Sequence, residues 1–143
     1  MPAPFAYRRL VQFADTDMAG IVHFSVFFRY MEEAEHALRR HIGMSIHDRF
    51  DPADDRSRIA FPRVSARCDY HSPARCEDEL RIEVTVQKLG KSSVTYGFHI
   101  FRDEAELAVG EMTSVCCCFR DGVKPRPTPL PDAVLAGLKQ FAA

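Results

Sequence analysis

Phe13-Ala14-Asp15-Thr16-Asp17-Met18-Ala19-Gly20-Ile21-Val22-His23-Phe24-Ser25 joins a short alternating segment to a long amphipathic one. Two carboxylates flank Thr16, and Gly20 is the only glycine of the turn that follows. Ser25 is a candidate N-cap for a helix running to Ile42 and stopping at Gly43, a natural C′ residue. Within it Phe27, Met31, Ala34, Leu38 and Ile42 recur at spacings of four, three, four and four, the stripe of a helix that lays one face on a core. Arg29, Glu32, Glu33, His36 and Arg40 fall mostly on the other side, and Arg39 and Arg40 suit the last turn. An acidic group just ahead of a helix N-terminus is chemically suggestive. Unpaired N–H groups and partial positive charge there can stabilise an oxyanion while the carboxylate acts on the adjacent carbon.

Upstream, Phe5 to Phe13 alternates as a first strand, with Phe5, Tyr7, Val11 and Phe13 on one face and Arg9 interrupting it. Downstream, Asp48 to Ser57 is the most polar stretch and reads as a surface loop. Ile59 to Tyr70 reads as a strand with an irregular or edge start at Pro62. Leu80, Ile82, Val84 and Val86 then alternate strictly with polar residues, as do Val94, Tyr96, Phe98 and Ile100. Leu107, Val109, Thr113, Val115, Cys117 and Phe119 share a face broken by Glu111. Turns of hairpin length at Leu89-Gly90-Lys91 and Arg102-Asp103-Glu104 make these three runs consecutive antiparallel strands. Pro125 to Pro131 is an extended lead-in to a short terminal helix opened by Pro131-Asp132. One apolar-striped helix with about five strands is an α+β plan in which the sheet buries the helix. Oligomerisation is one way to cover the sheet's other face.

The 143 residues fit one domain spanning 1–143. Nineteen Lys and Arg against 20 Asp and Glu give a net charge of −1, so no global pull toward nucleic acid is expected. No apolar run has membrane-spanning length, and residues 1–9 lack the apolar core of a signal peptide, so a cytoplasmic location is expected. Five cysteines, three of them consecutive at Cys116 to Cys118, argue against a disulfide framework, and without a C-x-x-C pair no metal site is expected. Reduced, buried, structural thiols are the expectation. His36 and His41, five apart, do not have the spacing of a helical metal pair. The sequence also has no G-x-S-x-G, H-E-x-x-H, P-loop or G-x-G-x-x-G.

Three motifs, in order, carry a family resemblance. They are Asp15-Thr16-Asp17-Met18-Ala19-Gly20-Ile21-Val22-His23-Phe24; Phe61-Pro62-Arg63-Val64 through Asp69-Tyr70-His71-Ser72-Pro73-Ala74-Arg75 to Asp78-Glu79-Leu80; and Lys88-Leu89-Gly90-Lys91-Ser92-Ser93-Val94. Together they resemble the hot-dog-fold acyl-CoA thioesterases, and among these the 4-hydroxybenzoyl-CoA thioesterase family. The resemblance implies a hot-dog fold, a curved antiparallel sheet wrapped around one long central helix, assembled as a homodimer or homotetramer. It implies hydrolysis of an acyl-CoA, with coenzyme A as part of the substrate and no further cofactor. Asp17, the second acid of the D-x-D element, would be the catalytic carboxylate. The backbone N–H near Phe24 would polarise the thioester carbonyl, and the acyl group would lie at a subunit interface.

Around that core of roles stand further candidates. His23 and Gly20 would line the site, His23 touching the acyl group or the attacking water. Lys88, Lys91, Ser92 and Ser93 surround a turn whose donors could hold phosphate or pantetheine; a plain charged hairpin is the competing reading. Asp15 reads as structural, ending the strand or fixing the turn. Glu32, Glu33 and Glu35 read as solvated helix surface, with Glu33 and Glu35 near enough to the stripe to reach an interface. A carboxylate ionised at neutral pH is a weak general base, which favours direct attack through an acyl-enzyme anhydride over water activation. Two alternatives stay open: a hydratase or dehydratase acting on thioesters, for which His23 speaks, and a non-catalytic acyl-CoA-binding module.

Overall fold

A computed structural model of the chain describes residues 2–45 and 57–142. Of the loop expected from Asp48 to Ser57, only Ser57 falls within the described residues. The elements are β1 (Phe5–Leu10), α1 (Val26–His41), β2 (Ser57–Ala60), β3 (Arg63–Tyr70), β4 (Glu79–Leu89), β5 (Ser93–Arg102), β6 (Ala105–Val115), β7 (Cys117–Arg120), β8 (Val123–Pro127) and α2 (Asp132–Lys139). β1 to β6, without β2, form a five-stranded antiparallel sheet in the order β1-β4-β5-β6-β3, and β2, β7 and β8 form a small second sheet.

The strict alternation of β4 and β5 buries Leu80, Ile82, Val84, Val86, Phe98 and Ile100 completely. Against them lies α1, whose stripe of Phe27, Met31, Ala34 and Leu38 is equally buried. Each large apolar side chain so removed from water stabilises by about 1.5–3 kcal/mol. The helix ends where expected, with Gly43 at φ 88°, a conformation that glycine adopts without strain. This is the hot-dog arrangement of one long helix held by an antiparallel sheet. Among the described residues no helix is long and apolar enough to cross a membrane.

Three expected strands differ in extent. The first ends at Leu10; Phe13 is in a 3₁₀ turn (Phe13–Asp15), 83% exposed rather than on the core face. The second breaks at Phe61-Pro62, where the missing proline N–H interrupts the ladder, and its halves β2 and β3 join different sheets. The third breaks at Cys116, whose N–H turns to the Ser92 carbonyl (2.6 Å). In β6 a bulge leaves Leu107 between the pairs Phe101–Glu106 and Ile100–Ala108. Beyond it Gly110, Met112 and Ser114 face inward, and the shared face of Val109, Thr113 and Val115 is the outer one. All five cysteines are free; Cys116 and Cys117 are buried, Cys68 and Cys118 half-buried, and Cys76 is exposed, against expectation.

Candidate active site

The site is built where β1 hands the chain to α1. Asp15 is buried, and its Oδ2 accepts from the Gln12 N–H (2.9 Å) and the Tyr30 hydroxyl (2.9 Å), with the Arg9 guanidinium at 3.3 Å. Burial first, and the bond to Asp15 second, push the Tyr30 phenol well above its ordinary range. Asp15 thus ties the end of β1 to the first turns of α1, the structural role expected of it.

Asp17 begins the next loop. Its N–H donates to the Ile21 carbonyl (2.8 Å), and its own carbonyl accepts from the Gly20 N–H (3.0 Å). Gly20 makes this closure at φ 80°, where a side chain would be strained. Asp17 Oδ1 accepts from the Ala19 N–H (2.8 Å), an Asx-type turn. Among the described residues Oδ2 has no intramolecular partner, so one carboxylate oxygen is held and the other is available.

The start of α1 faces the same cleft. The Val26 N–H donates to the His23 carbonyl (2.9 Å) and the Phe28 N–H to the Ser25 carbonyl (3.2 Å), a tight first turn. Among the described residues the Phe24 N–H has no intramolecular partner. Ser25 stands at the N-cap but its side chain does not cap. Instead the His23 Nδ1 accepts from the Ser25 N–H (3.2 Å) and pairs with the Ser25 hydroxyl (2.8 Å).

A cleft of about 390 Å³ joins these pieces. Its apolar walls are Ile21, Val22, Phe24, Phe27 and Pro73; its polar groups are Asp17, Tyr70, His71 and Ser72. Asp17 and Phe24 are therefore together, Gly20 shapes the loop beside them, and His23, exposed and with its ring against that of Phe24 (4.6 Å between centroids), is not among the lining residues. Tyr70 to Pro73, at the end of β3, received no role from the sequence. The Tyr70 hydroxyl donates to the Phe24 carbonyl (2.8 Å), and its ring meets Phe27 edge-on. Nothing local in the sequence signals this contact across 46 positions.

The hairpin residues Lys88, Lys91, Ser92 and Ser93 are elsewhere. In the sheet, Tyr70 shares a row with Ala108, Ile100 and Ile82, whereas Arg63 shares one with Ser114, Val94 and Leu89. Seven residues of β4 separate the rows, about 20 Å at ~3.3 Å per residue. Within one chain the hairpin is thus at the opposite end of the sheet from Asp17.

Glu32 is exposed, as expected, but Glu33 and Glu35 differ from the solvated surface expected of them. Glu33 accepts from Arg9 Nε (2.8 Å) and the Tyr7 hydroxyl (3.1 Å). Glu35 is fully buried between Arg39 and Arg63, and Arg63 reaches Glu32 as well (3.3 Å). A carboxylate there survives burial because two guanidinium groups are paired with it.

The family model described as the thioesterase-like superfamily matches residues 11–138. The chain is 28% identical over 130 residues to a 1,4-dihydroxy-2-naphthoyl-CoA hydrolase of Synechococcus elongatus, covering 91% of each chain. Among solved structures it is similar to a 1,4-dihydroxy-2-naphthoyl-CoA thioesterase from Synechocystis, with TM-score 0.81 and 27% identity over 94% of this chain and 95% of that one. A gentisyl-coenzyme A thioesterase matches with TM-score 0.78 and 25% identity over 94% and 98%.

Proposed function

The chain belongs to the thioesterase-like superfamily, and from that premise we propose that it hydrolyses an acyl-CoA thioester to a carboxylic acid and coenzyme A. One observation carries the reading: Asp17, with one carboxylate oxygen that has no intramolecular partner among the described residues, lines the same apolar cleft as Phe24, whose N–H at the start of α1 likewise has none among them. The thioester carbonyl oxygen accepts from that N–H, where the helix dipole favours developing negative charge. Asp17 Oδ2 attacks the carbonyl carbon, the C–S bond breaks, and the CoA thiolate leaves and takes a proton. Water then opens the resulting anhydride, regenerating Asp17 and releasing the acid.

The acyl group is aromatic and hydroxylated. Relatives whose names specify naphthoyl and gentisyl thioesters support this, as do the Phe24, Phe27 and Tyr70 rings around the cleft.

The working unit is a homodimer joined along β3, whether alone or as half of a tetramer. β3 ends the sheet, its outer backbone edge unpaired among the described residues and Val64 63% exposed, an edge that soluble proteins ordinarily protect. A two-fold antiparallel pairing sets the Tyr70 end of one β3 beside the Arg63 end of the other. The second copy's Lys88–Ser93 hairpin then approaches Asp17, and the CoA phosphates fall to it.

A thiol-release assay tests the reading, using acetyl-, hexanoyl-, palmitoyl-, phenylacetyl-, 4-hydroxybenzoyl- and 1,4-dihydroxy-2-naphthoyl-CoA. Turnover led by the hydroxyaryl thioesters is expected. No thiol release from any of them would contradict the proposal.

A further inference from the structure

The first turn of α1 makes a connection to the sheet that neither its own backbone nor the His23 ring supplies. In a trans peptide the N–H points opposite to the preceding carbonyl. The His23 carbonyl is drawn into the helix by the Val26 N–H, so the Phe24 N–H is aimed out of the helix start. The next peptide is held at both ends: its N–H, that of Ser25, donates to His23 Nδ1 (3.2 Å), and because the Phe28 N–H goes to Ser25, the Phe24 carbonyl is free to accept the Tyr70 hydroxyl (2.8 Å). Tyr70 is the last residue of β3, so this bond fastens the helix start to the sheet at the mouth of the cleft.

We propose that Tyr70 is a positioning residue, whose hydroxyl holds the Phe24 peptide so that the adjacent N–H meets the substrate carbonyl oxygen; this rests on the thioesterase reading. Three observations support it. Its contact is with the carbonyl of Phe24, whose N–H has no intramolecular partner among the described residues. Its ring is set by an edge-on contact with Phe27 (5.3 Å between centroids), which limits the directions the hydroxyl can take. The phenol is also pushed up to about 12, by partial burial first and by the Cys68 thiol second, so it remains a donor at neutral and mildly alkaline pH. Removing an oxyanion donor outright costs about 10²–10³ in kcat. Loosening one should cost less, about tenfold, the equivalent of one net hydrogen bond.

The test is Tyr70→Phe, which keeps the ring and removes the bond. Kinetics are measured with whichever panel thioester the wild type hydrolyses fastest. The carbonyl stretch of that thioester, ¹³C-labelled, is recorded bound to Asp17→Asn and to Asp17→Asn/Tyr70→Phe. The expected result is kcat lower by about tenfold, KM within about twofold, and a carbonyl stretch less red-shifted in the double variant. Unchanged kcat and stretch in an active enzyme would overturn the role of Tyr70 alone, as would a loss confined to KM. A wild type that hydrolyses none of the thioesters would overturn the thioesterase reading and this inference with it.

Discussion

Gly110 on β6 lies directly against Met31 of α1: a Cβ at position 110 would meet the Met31 sulfur at 2.2 Å. The Met31 side chain therefore fills the space that a Cβ at position 110 would need, and the Arg67 carbonyl would lie 3.1 Å from that Cβ. Met31 is fully buried and has little room to yield. Gly110→Ala is expected to lower stability by about 1–3 kcal/mol, the usual cost of overpacking. Urea unfolding checks this; an unchanged midpoint would mean that the Met31 side chain swings aside without cost.

Glu35 tests a different part of the same interface. Truncating it leaves the buried Arg39 and the half-buried Arg63 without their shared partner. Glu35→Ala should cost about 3–5 kcal/mol, as is usual when one member of a buried ion pair is removed. The variant's kcat, measured where it is still folded, should stay near wild type. A stable variant that has lost its activity would make Glu35 the catalytic carboxylate instead.

Much of this architecture is legible in the sequence, for identifiable reasons. β4 and β5 alternate cleanly because one face is buried throughout, and α1 shows its stripe because its other side meets water. β6 misleads because the positions under the helix are small or polar, Ala108, Gly110 and Ser114, while valines point outward. Glu35 misleads by its charge. It lies four residues after Met31 and three before Leu38, which puts it on the buried face, but one of its partners, Arg63, is remote in sequence. Half of the cleft, Asp17 with Phe24, follows from one local motif. Tyr70 to Pro73 join it only through the pairing of β3 with β6, and local spacing carries no trace of that.

Asp78 gives the expected pH dependence. Partial burial raises its pKa, but the Arg75 N–H and the Arg102 guanidinium, each at 2.9 Å, outweigh that and hold it below the ordinary value. A folded pKa below the unfolded one contributes stability above the unfolded value, and that stability is lost as pH falls through the folded one. Asp78→Asn should therefore be less stable than wild type at pH 7, and the difference should shrink at the acid end. Unfolding midpoints measured from pH 7 to pH 2 check it; a gap independent of pH would contradict the linkage.

The β3 edge yields a test of assembly. Light scattering should give at least twice the chain mass at micromolar protein. Val64→Asp, on an exposed position, should leave the chain folded but shift it to monomer and, if the basic hairpin reaches Asp17 from the second copy as proposed, abolish most turnover. A fully active monomer would overturn the shared site.

Asp17→Asn tests the central claim most directly. The amide keeps the size and shape of the side chain but cannot attack as a carboxylate or take a proton from water. With circular dichroism and light scattering matching wild type, kcat should fall by at least about 10²-fold, while the Kd for the acyl-CoA changes little. Asp15→Asn is the control, and should cost stability through its bonds to Gln12 and Tyr30. A folded, correctly assembled Asp17→Asn protein that keeps most of its thioesterase kcat would contradict the account.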